Sequence, residues 1–473
     1  GLRQYRCCDT VQRNAKWVLT ADGKTAESTL AEKLLLLCAV KFATLDISGA
    51  AVEMEGGKPG WNDALNGLPG LLGSGVSEGC ALLRLLEYLL DRQQLFPLHI
   101  EVFAEIAELL RADAALTDAR LSKAEKWLRR NAVRENYRKA VSDGFSGIRT
   151  ALAREELSTV LYTMSADLRC AITAETAENG GICPTYFYYR ILQWQTEPQG
   201  ILPKQAEKVT LPLFLEGPMR WLQTKQPLEE KRRMAHAVKE SPLFDQKLKM
   251  YRLNANLEQT TYEIGRIRAF PRGWLENESI WLHMEYKYLL SLLQAGLYEE
   301  FFEDFANAAI PFLPPDTYKR STLEGSSFLL SSANPDAASH GRGYVARLSG
   351  STAEMVSLWN TMFFGPAPFS AGETGLQLRF CPAVPKRLIA GREYISGTFL
   401  GHTCVIYHLG SLRELLPKQY HIVEYRLDNA VTICASALPP MWSERIRAGR
   451  VKQIDVYFKQ EDDNGTEAVY HNV

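Results

Sequence analysis

Through the first 364 residues, apolar side chains recur mostly at three- and four-residue intervals, the spacing that lines one face of a helix. Leu30, Leu34, Leu37, Val40 and Ala43 predict a helix between positions 27 and 45. Ser77 and Glu78 open a second over 80–92, with Leu82, Leu85, Leu86 and Leu89 on its apolar face. Pro97 begins a third that carries Ile100, Phe103, Ile106 and Leu110, and helical stretches follow at 118–141 and 145–164. The stretch 186–194 breaks this rhythm, because aromatic and β-branched residues beside proline favour extended backbone. Helices resume at 231–240, 280–294, 299–312 and 352–364, with Pro311, Pro314 and Pro315 stopping the third of these. After Pro368 the period falls to two around 376–380, 398–399, 404–408, 422–427 and 454–458. The chain therefore reads as mainly α up to about residue 370, with a partly extended insertion near 180–270, and as a small β-sandwich over 371–473. No internal repeat is visible, although paired helices can build a toroid whose repeats are structural only.

A chain of 473 residues exceeds what one hydrophobic core normally serves, so two domains or one large toroid are expected. Its 54 basic and 55 acidic residues leave a net charge of -1, with no basic stripe. That balance argues against nucleic-acid or anionic-membrane partners. Nine cysteines without a CxxC pair or zinc spacing point to free, mostly buried thiols in a reducing, cytoplasmic setting, with no metal or organic cofactor. No apolar run reaches transmembrane length. A start at Gly1, without methionine or leader pattern, makes a processed product or fragment the expectation.

Chemistry concentrates in three loops, at 53–78, 254–278 and 321–351. The first is glycine-rich and long, and such loops, when ordered, usually serve a site. Its Trp61-Asn62-Asp63 places a flat aromatic beside a carboxylate, as a sugar ring and its glycosidic oxygen require, so Asp63 is the leading catalytic candidate. The second loop supplies Arg266, Arg268, Arg272, Trp274, Glu276 and Glu278, with His283 just beyond. The third supplies Glu324, His340, Arg342 and the run Ser349-Gly350-Ser351-Thr352, whose hydroxyls and free N–H groups at a helix start suit a phosphate. Ordinary roles remain open to all of them. Asp63 and Ser349–Thr352 have the composition of helix caps, His283 sits among core aromatics, the arginines fit a solvated face and the tryptophans fit a core.

These residues resemble motifs of the cellobiose phosphorylase family of inverting glycoside phosphorylases. Trp61-Asn62-Asp63 is similar to the family's Asp-Trp-Asn-Asp loop, whose last aspartate is the general acid. The segment from His340 through Gly341-Arg342-Gly343 to Ser349-Gly350-Ser351 resembles its phosphate loop, and Ile280-Trp281-Leu282-His283 its phosphate-contacting histidine. Glu324 stands where the family has an acceptor-sugar glutamate. The resemblance implies an (α/α)6 barrel followed by a β-domain, with the family's N-terminal portion and its phosphate arginine upstream of this chain. It also implies a homodimer. The pair Pro59-Gly60 before Trp61, serine at 349 and the long insertion depart from the family pattern. They point to a relative acting on longer β-glucans.

The implied reaction is reversible phosphorolysis of a β-glucan or β-gluco-oligosaccharide to α-glucose 1-phosphate. Asp63 would protonate the leaving oxygen, with Trp61 favouring its neutral form. His283, Ser349, Gly350 and Ser351 would hold phosphate, while Trp61, Asn62, Trp274, Glu276, Glu324, His340 and Arg342 would meet sugar. Two other classes compete. One is an inverting hydrolase with Glu276, Glu278 or Glu324 as base, and the other is a non-catalytic carbohydrate-binding or assembly subunit.

Overall fold

The computed structural model describes residues 17–117, 120–197, 200–345, 349–372 and 375–460. Helix makes up 43 % and strand 22 % of it, a mixed α/β composition richer in sheet than the mainly α expectation. The chain forms two compact units: residues 1–245 with 251–280 and 331–337, and residues 246–250 with 281–330 and 338–473.

The first unit contains helices α1 (Leu30–Phe42), α2 (Val76–Asp91), α3 (Ala104–Ala115), α4 (Lys123–Ala140), α5 (Arg154–Glu178), α6 (Glu216–Leu222) and α7 (Leu228–Glu240). Helix α2 packs on α1, α5 and α6, and α3 packs on α1, α4 and α5. The predicted face of α1 is partly wrong. Leu30 and Leu37 are 76 % and 40 % exposed, while Leu35, Cys38 and Phe42 are fully buried. A run as leucine-rich as 34–37 offers two apolar faces, and contact with α3 selects between them.

Two expected helical stretches begin as strands. Residues His99–Phe103 pair antiparallel with Arg149–Ala153, and α3 and α5 start only after them. Glu32 of α1, fully buried, accepts the Phe103 N–H at 2.7 Å and two guanidinium bonds from Arg149 at 3.0 and 3.1 Å. One carboxylate thus satisfies a backbone donor and a cation that periodicity cannot reveal.

A four-stranded sheet closes the first glycine-rich loop. Its order is β1 (Val52–Glu53), β2 (Ser74–Gly75), β3 (Tyr186–Glu197), β4 (Gly200–Thr210). Val52 pairs with Gly75 and Glu53 with Ser74, so the loop leaves and returns at one point, and Ser74 pairs onward with Phe187. Glu53 is held further by the Trp127 indole N–H at 2.6 Å and Arg134 at 2.7 Å, both on α4. The extended excursion at 186–194 is therefore the first arm of a long ribbon.

In the second unit, α8 (Leu282–Ala295) packs on α9 (Tyr298–Ala308) and on α10 (Ser349–Phe364). A short ladder pairs Phe328–Leu329 with Gly343–Tyr344, and the rings of Trp281, Phe328 and Tyr344 stack in series. The C-terminal strands form one five-stranded sheet, in the order β5 (Tyr394–Phe399), β6 (Thr403–His408), β9 (Gln453–Gln460), β7 (Tyr420–Leu427), β8 (Val431–Ile433). Strands β6 and β9 run parallel, and the other pairs are antiparallel. Leu378, Phe380, Val384 and Ile389, together with Leu438 and Ile446, share one core with this sheet. The expected sandwich is thus one full sheet covered by a hairpin (Phe369–Gly372 with Gly375–Leu378), an irregular segment and the helix Pro440–Arg447. A parallel pair needs a long crossover, which alternation within single strands does not disclose.

Among the described residues no helix is long and apolar enough to cross a membrane. Among the described residues the cysteines divide: Cys38, Cys80 and Cys183 are buried, Cys381 is half-buried, and Cys170, Cys404 and Cys434 are exposed, so mostly buried thiols do not describe them. Cys7 and Cys8 lie outside the described residues.

Candidate functional site

The first unit gathers Asp63, Arg266 and Glu276. Asn62 ends the extended approach and accepts the Ala64 N–H at 3.3 Å, starting a short 3₁₀ turn at Asp63–Leu65. This turn packs on the segment 262–269 at very short range. A Cβ at Gly67 would lie 1.9 Å from the Glu263 carbonyl oxygen, so only glycine fits there. The Gly67 N–H bonds the Ile264 carbonyl, and Asn66 accepts the Arg266 N–H. Ala64, Leu65, Leu68, Ile264 and Ile267 share one apolar cluster beneath.

That packing brings the Arg266 guanidinium to 2.8 Å from the Asp63 carboxylate. Both side chains are exposed. Trp61 does not shelter Asp63, as the sequence led one to expect. Its indole N–H turns away to Glu216 at 2.6 Å. The desolvated carboxyl of the group is Glu276, at the tip of the tight turn 274–277. Burial first, and then the charge of Asp63, push its carboxyl above the usual range against the pull of its own backbone N–H and of Arg266. Two carboxyl groups held in different electrical environments can divide acid and base roles.

Several expected sugar contacts also have structural roles. Asn62 is buried, and its side-chain oxygen caps the turn. Trp274 is partly buried at the turn that presents Glu276. Glu278, offered as a hydrolytic base, is buried in a two-bond ion pair with Arg272 at 2.5 and 3.0 Å. Glu216 and Tyr186 are the polar residues that sequence reasoning passed over. The only signal for Glu216 was an acid at a helix start before Gly217-Pro218. Glu78 lies beside them, its carboxyl raised by burial and by Glu216, with Lys41 and Arg220 opposing.

In the second unit, His283 and the 349–351 run come together. His283 stands in the first turn of α8, and a Cβ at Gly350 would be 2.8 Å from its Nδ1. The glycine lets the imidazole lie against the first turn of α10. His283 Nε2 is 3.6 Å from Glu354 of the same helix. Ser351 is 1 % exposed and donates to the Ser326 carbonyl at 3.2 Å, so its hydroxyl braces the turn rather than facing solvent. Ser349 begins α10, and its side chain lies outside the described residues.

The remaining candidates do not join that contact. Glu324 is exposed and 3.5 Å from Arg320. His340 receives the Lys247 ammonium at Nδ1 at 2.7 Å, which fixes that nitrogen as the acceptor. Arg342 is exposed, with its guanidinium 5.5 Å above the centre of the Tyr344 ring.

The arrangement offers a carboxyl pair beside an arginine in one unit and a histidine against a helix start in the other. No protein-family model matches the chain, and no curated protein matches it.

Proposed function

We propose that the chain is the catalytic and C-terminal part of an inverting glycoside phosphorylase acting on a β-glucan or β-gluco-oligosaccharide, its helices forming part of an (α/α)6 barrel. Phosphate attacks the anomeric carbon with inversion, and Asp63 protonates the departing glycosidic oxygen, so no water-activating base is needed. His283, with the N–H groups at Ser349 and Gly350, holds the phosphate and offsets charge as the oxocarbenium-like state develops. The bound sugar displaces Arg266 from Asp63 and provides the cover that Trp61 does not.

The observation that carries this reading is the contact of His283 with Gly350. These residues are far apart in sequence, and the family resemblance assigns both to phosphate. The test is phosphate release from a panel of α-sugar 1-phosphates with glucose or β-glucan acceptors. Acceptor-dependent release that vanishes in Asp63→Asn is expected, and absence of release with every donor would sink the reading.

The Asp63–Glu276 pair favours a second reading, an inverting hydrolase, but with the expected roles exchanged: the raised Glu276 carboxyl serves as acid and Asp63, rather than Glu276, as base. Glucan cleavage at full rate without phosphate would select it.

A further inference from the structure

Beside the candidate acid, the structure carries a buried clamp with no part in the chemistry just described. Glu216 is 5 % exposed, and one of its oxygens, Oε2, accepts two hydrogen bonds, from the Trp61 indole N–H at 2.6 Å and from the Tyr186 hydroxyl at 2.7 Å. Burial and the Glu216 charge push the Tyr186 phenol well above its usual range, which keeps it a donor. The backbone on either side of Glu216 is held in place. Thr185 Oγ1 accepts the Gly217 N–H at 2.8 Å and donates to the Phe214 carbonyl at 2.9 Å, and Tyr186 meets Phe214 edge to face. Against this fixed acceptor, Trp61 remains 41 % exposed, so its indole is tethered at one edge and open elsewhere.

We propose that Glu216 is a positioning residue that sets the Trp61 indole as a rigid stacking plate for a sugar ring, two residues from Asp63. The sugar part of this inference rests on the carbohydrate reading above, whereas the clamp itself does not. A charge-assisted bond between a buried carboxylate and an indole N–H is short and directional, which suits an aromatic plate that must not swing. The competing role for Glu216 is to satisfy the Tyr186 hydroxyl alone.

The full chain and the variants Glu216→Gln, Trp61→Phe, their combination and Tyr186→Phe separate these roles. The Trp61 indole resonance, identified by its loss in Trp61→Phe, should move upfield in Glu216→Gln and stay near its wild-type position in Tyr186→Phe. An unmoved resonance in Glu216→Gln overturns the clamp. Dissociation constants for a β-gluco-oligosaccharide, measured without phosphate, should rise about tenfold in Glu216→Gln and in Trp61→Phe. They should rise no further in the double variant. Losses that multiply in the double variant overturn the positioning role. A moved indole resonance in a protein whose wild type binds no oligosaccharide overturns the sugar plate and leaves the clamp standing.

Discussion

Asp113 illustrates what a sequence conceals at the level of one residue. It is fully buried on α3, and neither carboxylate oxygen has a hydrogen-bond partner among the described residues. Burial pushes its carboxyl well above the ordinary range, opposed only by Arg130. Because the folded-state value is raised, the group adds no pH-dependent cost while protonated in both states. Its penalty grows as pH rises from the ordinary 3.8 through the folded value. Asp113→Asn should therefore stabilise the protein by on the order of 1–2 kcal/mol at pH 8 and by less at pH 5. Urea unfolding of both proteins at the two pH values checks this, and an equal gain at both would contradict it. Asp63 was legible because Trp-Asn-Asp has local meaning, and Arg266 was noticed only as a basic residue in a loop. Their ion pair depends on the close approach at Gly67, which no local pattern reports. The same limit applies at Gly350. Gly350→Ala would drive a methyl group into the His283 ring. If the proposed phosphorylase reading holds, it should raise the KM for phosphate about tenfold or more with the fold retained, as steady-state kinetics and circular dichroism would show.

At the scale of elements, helices with capping and periodic signals were legible and strands attached to helix starts were not. Ser122 Oγ accepts the Glu125 N–H, and the Glu125 carboxylate in turn accepts the Ser122 N–H, a reciprocal cap that starts α4 inside the expected 118–141 stretch. Ser122→Ala should cost about 1 kcal/mol in chemical denaturation. The strand His99–Phe103 was hidden because Ile100, Phe103 and Ile106 keep helical spacing across a strand-to-helix junction. Glu32 ties this ribbon to α1, so Glu32→Ala leaves the buried Phe103 N–H without its acceptor and removes two of the bonds to Arg149, which keeps the Glu101 carbonyl. A loss of about 3 kcal/mol is expected, read from the denaturation midpoint, and a change below about 1 kcal/mol would refute the assignment.

At the scale of the whole molecule, the sequence announced helices followed by strands but not how the chain is shared between units. Residues 251–280 return to the first unit after 246–250 have joined the second. They bring Leu257, Ile264 and Ile267 to the cluster under Asp63, along with Arg266 and Glu276. A fragment ending at residue 245 should consequently expose Ala64, Leu65, Leu68 and Phe214, bind a hydrophobic dye and aggregate. A monodisperse, dye-silent fragment would show that the cluster is complete without its later half. The order of the C-terminal sheet has a consequence for biogenesis. Strand β9 is made after both of its neighbours, yet it lies between them, parallel to β6 and antiparallel to β7. Until residues 453–460 reach them, β6 and β7 each present an unfilled edge. The nascent chain therefore holds an open slot that β9 must fill before a strand from a neighbouring nascent chain does.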